Sequence, residues 1–229
     1  MEIKPEYRDK TIRSFVVRAG RMTKAQRSAF ELGWDTYGLR LADEAIELDT
    51  VFGRNNPKVV EIGFGMGGSL LEMVEAQPDT DFIGIEVHPP GVGSLINAAQ
   101  EKNISNLRVY LADATDVLNE CFADGSLDRV QIYFPDPWHK KKHNKRRIIQ
   151  PKFLQLIREK LRLGGIVHMA TDWQPYAEQM LELVGEADGF KNMAQDYVPR
   201  PDFRPLTKFE RRGERLGHGV WDLMAERTL

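Results

Sequence analysis

The chain of 229 residues is long enough to bury a sizeable core as one α/β domain. Its 32 Lys and Arg residues nearly balance 34 Asp and Glu residues, so a net charge of −2 excludes a generally sticky polycation. Any affinity for a polyanion must come from local basic patches. The single cysteine, Cys121, excludes a disulfide framework and a thiolate metal cluster. With no signal-peptide core and no run of membrane-spanning length, we expect a soluble, cytoplasmic protein without a membrane partner.

The predicted elements begin with a basic arm and a helix near residues 25–48, because residues 1–57 lack strand periodicity. From residue 58, short β-branched runs alternate with amphipathic ones, which predicts a doubly wound parallel sheet covered on both faces. The predicted strands are 58–62, 81–86, 106–112, 127–134 and 165–171, with a final pair near 190–195 and 219–226. The predicted helices are 68–76, 91–102, 115–122, 150–162 and 174–187. We expect one compact domain overall, with an N-terminal extension (1–57) and a core (58–229).

An acidic residue stands at the end of each of the five predicted parallel strands. These acids are Glu61, Glu86, Asp113, Asp136 and Asp172. Ligands of an open doubly wound sheet bind at the carboxyl ends of its strands. Any one acid is as readily a solvated strand end or a helix cap, and Asp113, just before a helix, is a good N-cap candidate. Five acids in order indicate a ligand site at this edge.

The loop after the first of these strands indicates the cofactor. Its sequence GFGMGG fits G-x-G-x-x-G, a weak signal by itself, with glycines at Gly63, Gly65 and Gly68. Without a Cβ, Gly63 and Gly65 let the backbone turn tightly and approach a ligand. Glu61 would repel the pyrophosphate of a dinucleotide but suits the cationic groups of S-adenosylmethionine. Glu86 is placed to accept hydrogen bonds from ribose hydroxyls, and Asp113 from the adenine amino group. The ordered acids at the strand ends therefore favour S-adenosylmethionine over NAD.

The densest positive charge of the chain follows the fourth predicted strand, in YFPDPWHKKKHNKRR (133–147). The prolines on both sides of Asp136 fix φ and hold its carboxylate extended beyond the sheet edge. Residues 139–147 then include six Lys or Arg. Trp138 is either packed in a rigid turn or free to stack on a base. A polyanion bound beside a methyl donor explains both the proline-flanked acid and the basic run that follows it. Phosphates would bind Lys140 to Arg147, and a base would reach Asp136.

Five motifs resemble the bacterial tRNA (guanine-N7-)-methyltransferase family, from about residue 11 to the C-terminus. They are EIGFGMGGS, GIEVHPPGVG, YFPDPWHKKKHNKRRI, MATDWQPYAE and RPLTKFERRGERLGHGVWDL. The PDPWHKKKHNKRR and TKFE segments are specific to that family, unlike the glycine loop. The resemblance implies a seven-stranded, Rossmann-like class I methyltransferase. Its implied activity is methyl transfer from S-adenosylmethionine to N7 of a guanine in the variable loop of tRNA.

The resemblance also implies roles for individual residues. Glu61, Glu86 and Asp113 would bind the cofactor, and Asp136 would be the catalytic acid of the PDPW motif, also close to the cofactor. Guanine N7 has a lone pair and no proton, so this carboxylate would orient the base and stabilise its growing charge, not accept a proton. Substrate contacts are implied for Lys140, Asp172, Thr207, Lys208, Phe209 and Glu210. RNA contacts are implied for Lys142, His143, Asn144, Lys145, Arg146 and Arg147.

Two alternatives stay open from the residues. The Pro-Asp-Pro-Trp sequence also resembles the D-P-P-[YFW] loop that grips exocyclic amines, which favours an amino-group methyltransferase. A non-catalytic RNA-binding protein on the same fold is the other, disfavoured by acids at all five strand ends. No metal is predicted: His139 and His143 are four residues apart, but no third ligand is evident. The sequence does not determine the oligomeric state, and a monomer is compatible with it.

Overall fold

The computed structural model describes residues 5–6, 13–16, 20–207, 210 and 219–229. These residues fall into two compact units. The first unit is built on residues 20–123 together with residues 5, 6 and 16, and the second on residues 124–229 together with residues 13–15. A domain boundary at residue 57 stays a prediction. Within the described ranges, no helix is both long and apolar enough to cross a lipid bilayer.

The first unit contains parallel strands in the order β1-β4-β3-β2. The strands are β1 (Gly38–Leu39), β2 (Lys58–Ile62), β3 (Asp81–Glu86) and β4 (Leu107–Leu111). The helices are α1 (Lys24–Tyr37), α2 (Leu48–Phe52), α3 (Gly68–Ala76), α4 (Pro89–Glu101) and α5 (Ala114–Cys121). Every residue of β2 and β3 is buried, as expected for parallel strands covered on both faces. The predicted bounds of β2, α3 and β3 are confirmed.

The single helix predicted near residues 25–48 is wrong beyond Tyr37. Helix α1 begins with a capping box, in which the Thr23 hydroxyl accepts from the Gln26 N–H and the Gln26 side chain accepts from the Thr23 N–H. The helix ends at Tyr37, and its C-cap is Gly38, where an added Cβ would lie 2.3 Å from the Trp34 ring, so only glycine fits there. Strand β1 follows and was not predicted, because two residues carry no detectable periodicity.

The second unit contains four strands in the order β5-β6-β8-β7. They are β5 (Leu127–Tyr133), β6 (Leu161–Thr171), β7 (Phe190–Asn192) and β8 (Trp221–Arg227). Strand β6 runs parallel to β5, and β8 runs antiparallel to both of its partners, β6 and β7. A 3₁₀ helix covers Lys141–Arg146, and helices α6 (Pro151–Lys160) and α7 (Gln174–Glu186) follow. The predicted final strand pair is confirmed.

The start of β6 and the number of strands differ from the prediction by more than a frayed end. Strand β6 begins at Leu161, not at residue 165. The Gly164–Gly165 pair lies within the strand, in a bulge where the β5–β6 register shifts. The resemblance implies seven strands, whereas eight are present among the described residues. The additional strand is β1.

Two helical glycines differ in the space around them, so adding a side chain should change stability in opposite senses. A Cβ on Gly91 of α4 would lie 2.0 Å from the carbonyl oxygen of Gly65, whereas a Cβ on Gly185 of α7 meets nothing within 4 Å. We expect Gly91→Ala to lower the free energy of unfolding by about 1–3 kcal/mol through overpacking.

We expect Gly185→Ala to raise the free energy of unfolding by about 0.4–1 kcal/mol, because alanine restricts the unfolded chain. Urea unfolding measures both, and a stable Gly91→Ala variant would contradict the close approach.

Candidate active site

The loop between β2 and α3 presents its backbone to open space. Gly63 has φ +77° and Gly65 has φ +59°, a region that side chains rarely adopt. A Cβ built on either glycine meets no atom within 4 Å. The glycines are therefore needed for the backbone conformation, and the space in front of them is free for a ligand. Gly67, also with positive φ, is the N-cap of α3.

Glu86, the last residue of β3, holds this glycine loop in place. One carboxylate oxygen accepts from the Gly65 N–H at 2.8 Å. The other accepts from the Val87 N–H at 2.7 Å and the His88 N–H at 3.0 Å. Burial raises the pKa of Glu86, and the three backbone donors oppose that rise without cancelling it. Its predicted ribose contact stays a prediction, and the structure adds a bond to the loop that the sequence did not indicate.

The two other acids predicted for the cofactor are both buried. Glu61 lies inside β2, one residue before its end at Ile62, so it does not close the strand as predicted. Asp113 is the N-cap of α5, where its carboxylate accepts from the Thr115 N–H at 2.9 Å. The helix-cap interpretation of Asp113 is therefore correct. The predicted contact of Asp113 with the adenine amino group stays a prediction.

Asp136 lies on a strained loop of the second unit. Strand β5 ends at Tyr133, so Asp136 is three residues beyond the strand and does not end it. Phe134 has φ +50° and Trp138 has φ +45°, each a conformation that costs a non-glycine residue on the order of 1–3 kcal/mol. Asp136 is exposed, and its Oδ1 accepts from the Trp138 N–H at 3.1 Å. The loop thus presents a carboxylate to solvent while fixing its direction.

A cavity of ≈ 730 Å³ lies within the second unit beside this loop. Its lining includes Pro135, Pro137, His139, Asp172, Trp173 and Trp221. The His139 and Trp173 rings meet edge to face with centroids 4.4 Å apart, and Trp173 is 36% exposed. An apolar, aromatic wall next to an exposed carboxylate suits a planar heterocycle with N–H donors. Trp173 was not predicted as a site residue, although it directly follows Asp172, an acid predicted to lie at a strand end.

The basic run after the loop divides into an exposed and an interior part. Lys140, Lys141, Lys142 and Lys145 are exposed, and His143 and Asn144 are half-buried. Arg147 is only 4% exposed, and its guanidinium donates to the carbonyl of Pro137. A phosphate contact by Arg147 stays a prediction, and its burial makes the guanidinium less accessible than the ammonium groups of the lysines. The four lysines are the residues of this run whose charged ends are open to solvent, and exposed ammonium groups are accessible to phosphates.

Trp138 packs against the N-terminal segment of the same unit. Its indole Nε1 donates to the carbonyl of Ser14 at 3.1 Å. The Arg146 guanidinium lies 4.3 Å from the Trp138 ring centroid, and its Nε donates to the Arg13 carbonyl at 3.2 Å. Of the two interpretations of Trp138, the structure favours the packed residue. Arg146 is half-buried by these contacts and presents less of its charge to solvent than the lysines do.

The TKFE segment is only partly described, since Lys208 and Phe209 lie outside the described residues. Glu210 is buried, and its two carboxylate oxygens accept from the Arg204 guanidinium at 2.8 and 2.6 Å. Thr207 and Glu210 also bond each other reciprocally, side chain to backbone, at 2.8 and 3.2 Å. Glu210 thus holds the segment to Arg204, and its predicted substrate contact stays a prediction. Thr207 is half-buried at the start of the segment.

Arg204 links this segment to the sheet of the second unit. It is fully buried and donates twice to Asp222 of β8, both times at 2.7 Å. Asp222 in turn bonds His168 Nε2 at 2.7 Å, and His168 Nδ1 bonds the Tyr133 hydroxyl at 2.8 Å. Burial alone would raise the pKa of Asp222, but its bonds to His168 and Arg204 lower it below the ordinary value. The carboxylate is therefore ionised and paired inside the fold.

Comparisons with known proteins agree with this geometry. A family described as "Putative methyltransferase" matches residues 55–223. A tRNA (guanine-N(7)-)-methyltransferase of Saccharophagus degradans is 59% identical over 229 residues, covering 99% of this chain and 100% of the relative. The one of Stutzerimonas stutzeri is 60% identical over 220 residues, covering 95% and 92%. The crystal structure of the 16S rRNA methyltransferase KamB matches at TM-score 0.62 with 15% identity, covering 85% and 99%.

The strand–helix alternation and the likeness to KamB show a Rossmann-like α/β fold, which confirms the predicted fold class, and the family match over residues 55–223 shows a methyltransferase. The cofactor of such an enzyme is S-adenosylmethionine, also as predicted. More particularly, relatives at about 60% identity over nearly the full length show that the chain belongs to the tRNA (guanine-N(7)-)-methyltransferase family.

The first unit fits S-adenosylmethionine chemically. The ligand carries a sulfonium and an ammonium group, and the acids on β2 and β3 supply negative charge beside the glycine loop. Positive-φ glycines facing open space let a ribose or a methionine chain approach the backbone closely. S-adenosylmethionine has no pyrophosphate for these acids to repel. The carboxylates therefore suit this cofactor better than a dinucleotide.

We expect Glu86→Ala to weaken S-adenosylmethionine binding by about 1.5–3 kcal/mol, because bonds to a charged acceptor are lost and the Gly65 N–H is released. Isothermal calorimetry measures the change. Glu101→Ala, which removes an exposed acid from α4, is the matched control and should leave the affinity unchanged. An equal loss in both variants would show that Glu86 acts only through net charge.

Proposed function

We propose that this protein transfers the methyl group of S-adenosylmethionine to N7 of a guanine in the variable loop of tRNA. Relatives named tRNA (guanine-N(7)-)-methyltransferase match 95–99% of the chain at 59–60% identity, so the likeness includes both units. The observation that carries the proposal is the exposed Asp136 carboxylate, oriented on a strained loop whose prolines line a cavity large enough for a purine.

The proposed cofactor residues all lie in the first unit. Gly63 and Gly65 would let the cofactor approach the backbone, and Glu61 would attract its cationic groups. Glu86 would accept hydrogen bonds from ribose hydroxyls and Asp113 from the adenine amino group, since both are carboxylates held near the strand ends by backbone N–H groups. When bound, S-adenosylmethionine supplies an electrophilic methyl group on a sulfonium. Asp136, in the second unit, is proposed to act on the base.

The proposed chemistry needs no general base. The N7 lone pair forms the new N–C bond while the C–S bond breaks and its electron pair stays on sulfur. The positive charge passes from sulfur to the purine ring. Asp136 would bond the N–H edge of guanine and stabilise this charge, an electrostatic role for a preorganised group. Holding N7 in line with the methyl group supplies much of the remaining rate.

The substrate residues are proposed from exposure and position. Asp172 lines the cavity, and Trp173 beside it offers an aromatic face for the guanine. Lys140 stands nearest to the loop, and Lys142, His143, Asn144 and Lys145 follow it on the 3₁₀ helix. RNA phosphates would bind the exposed lysines, which give affinity and orientation without reading sequence. Thr207 is proposed to contact the substrate from the start of its segment.

We expect the protein to act in the cytoplasm and as a monomer. A tRNA substrate and a single buried thiol, Cys121, fit the reducing cytoplasm. Because one chain contains both the proposed cofactor residues and the proposed substrate residues, we expect a monomer. Sedimentation of the purified protein with and without tRNA tests this expectation.

Methyl transfer from labelled S-adenosylmethionine to unmodified tRNA tests the proposed activity. Digestion and mass spectrometry of the nucleosides should find 7-methylguanosine, and mapping should place it in the variable loop. An N²-methylated guanine would favour an amino-group methyltransferase. Binding of tRNA with no methyl transfer would favour a non-catalytic RNA-binding protein.

We expect Asp136→Ala to lower the methyl-transfer rate by on the order of 10²–10³, the usual effect of removing one preorganised electrostatic contact. Calorimetry should find S-adenosylmethionine affinity within about tenfold of the wild type. Asp196→Ala, which also removes an exposed acid from the second unit, is the control and should keep its rate. Near-wild-type turnover of Asp136→Ala would remove this residue from the mechanism.

We expect simultaneous substitution of Lys141, Lys142 and Lys145 by Ala to weaken tRNA binding and flatten its salt dependence. Each lost phosphate contact reduces the slope of log affinity against log salt by roughly 0.7, so the total change is about two units. Filter binding across a salt series measures the slope. Substituting the exposed Lys24, Lys152 and Lys191 instead removes the same charge elsewhere and should change the slope much less. Equal slopes for the two triple variants would leave the basic run without a specific role.

A further inference from the structure

The last residue of the basic run has an environment unlike that of the lysines before it. Arg147 is 4% exposed, whereas Lys145, two residues earlier, is exposed. Its Nε donates to the carbonyl of Pro137 at 2.8 Å, and its Nη1 donates to the side chain of Gln179. The guanidinium lies 4.6 Å from the centroid of the Tyr176 ring. Arg147 therefore connects the PDPW loop with helix α7.

Helix α7 provides a fixed support for this guanidinium. Tyr176 is fully buried, and its hydroxyl accepts from the Ile149 N–H at 3.2 Å. Gln179 lies three residues further along, on the same face of the helix. Burial lowers the pKa of Arg147, but a guanidinium remains charged in proteins. A desolvated cation with one backbone acceptor in the loop forms a charge-assisted bond, which is stronger than a neutral one.

The bond to Pro137 acts on Asp136 through a single peptide group. The carbonyl of Pro137 and the N–H of Trp138 belong to the same planar unit. Arg147 holds the carbonyl of this unit, and the N–H on its other side donates to Asp136 Oδ1 at 3.1 Å. Fixing the plane of the peptide fixes the direction of the N–H, and hence the carboxylate that accepts from it. The same bond opposes rotation of Trp138 out of its positive-φ conformation.

We propose that Arg147 is a positioning residue for methyl transfer, which orients the Asp136 carboxylate through the Pro137–Trp138 peptide group. The inference rests on the proposed function, since it assigns Arg147 to the same reaction. It also divides the basic run by role: the exposed lysines bind phosphate, and Arg147 orders the loop. Lysine cannot replace it fully, because a point-like ammonium lacks the planar fork that bonds Pro137 and Gln179 while stacking on Tyr176.

The test compares Arg147→Met and Arg147→Lys in single-turnover methyl transfer at saturating tRNA and S-adenosylmethionine. We expect the rate to fall about 10–100-fold for Met, the size of a small misplacement of a reacting group, and less for Lys. The affinity for tRNA and the salt slope should stay as in the wild type. A slope reduced by about 0.7 in Arg147→Met would identify a phosphate contact and overturn the proposal.

A matched control separates positioning from loss of stability. Arg227 of β8 also donates to backbone carbonyls, those of Glu159 and Leu161, and lies outside the loop and the basic run. Arg227→Met should lower the melting temperature without a comparable loss of single-turnover rate. Equal rate losses in Arg227→Met and Arg147→Met would reduce Arg147 to a structural residue. If Arg147→Met fails to fold, Arg147→Lys and Gln179→Ala, which removes one partner of the guanidinium, carry the same comparison.

A double-mutant cycle gives the decisive readout. If Arg147 acts through Asp136, then Arg147→Met should slow the wild type about 10–100-fold but the Asp136→Ala variant by less than about threefold. Multiplying effects in the double variant would show that Arg147 acts independently and would overturn the proposal. Failure of the proposed function is distinguishable, because the wild type would then yield no 7-methylguanosine before any variant is compared.

Discussion

Hydrogen bonds from main-chain N–H groups to carboxylates determine how this protein presents its negative charge. Glu86 accepts from the glycine loop and the start of α4, Asp113 from the first turn of α5, and Asp136 from the residue two positions on. Each bond fixes the direction of a carboxylate that would otherwise rotate freely. The glycine loop and the PDPW loop both depend on such a bond for their shape, so ligand-binding geometry and local backbone conformation have the same cause.

Two arginines of the second unit, Arg147 and Arg204, are buried, and their charges are stabilised in different ways. Arg204 pairs with both Asp222 and Glu210, so removing Arg204 would leave two buried carboxylates without their cation. Arg147 has neutral acceptors instead, a carbonyl and an amide, with an aromatic ring against its plane. The first arrangement stabilises the sheet and the TKFE segment. The second holds a loop whose positive-φ residues need outside support.

Local pattern was sufficient for much of the fold and for little of the contact geometry. The bounds of β2, α3 and β3 followed from strong periodicity and glycine punctuation. Strand β1 was missed because a two-residue strand exists only through its pairing with β4. The inward turn of Glu210 was missed for a related reason: its partner Arg204 belongs to a cluster completed by Asp222 of β8, which is distant in sequence.

The sequence by itself determined the order of strands and helices, the position of acids near the strand ends and the proline-flanked Asp136, because these depend on backbone preferences of neighbouring residues. Only the tertiary structure decided which cations of the basic run reach solvent. Lys145 and Arg147 are equivalent in a charge pattern, yet one is exposed and the other is buried against α7. Desolvation of a side chain is set by the residues packed around it, and for Arg147 those are Tyr176 and Gln179, about thirty positions further along the chain.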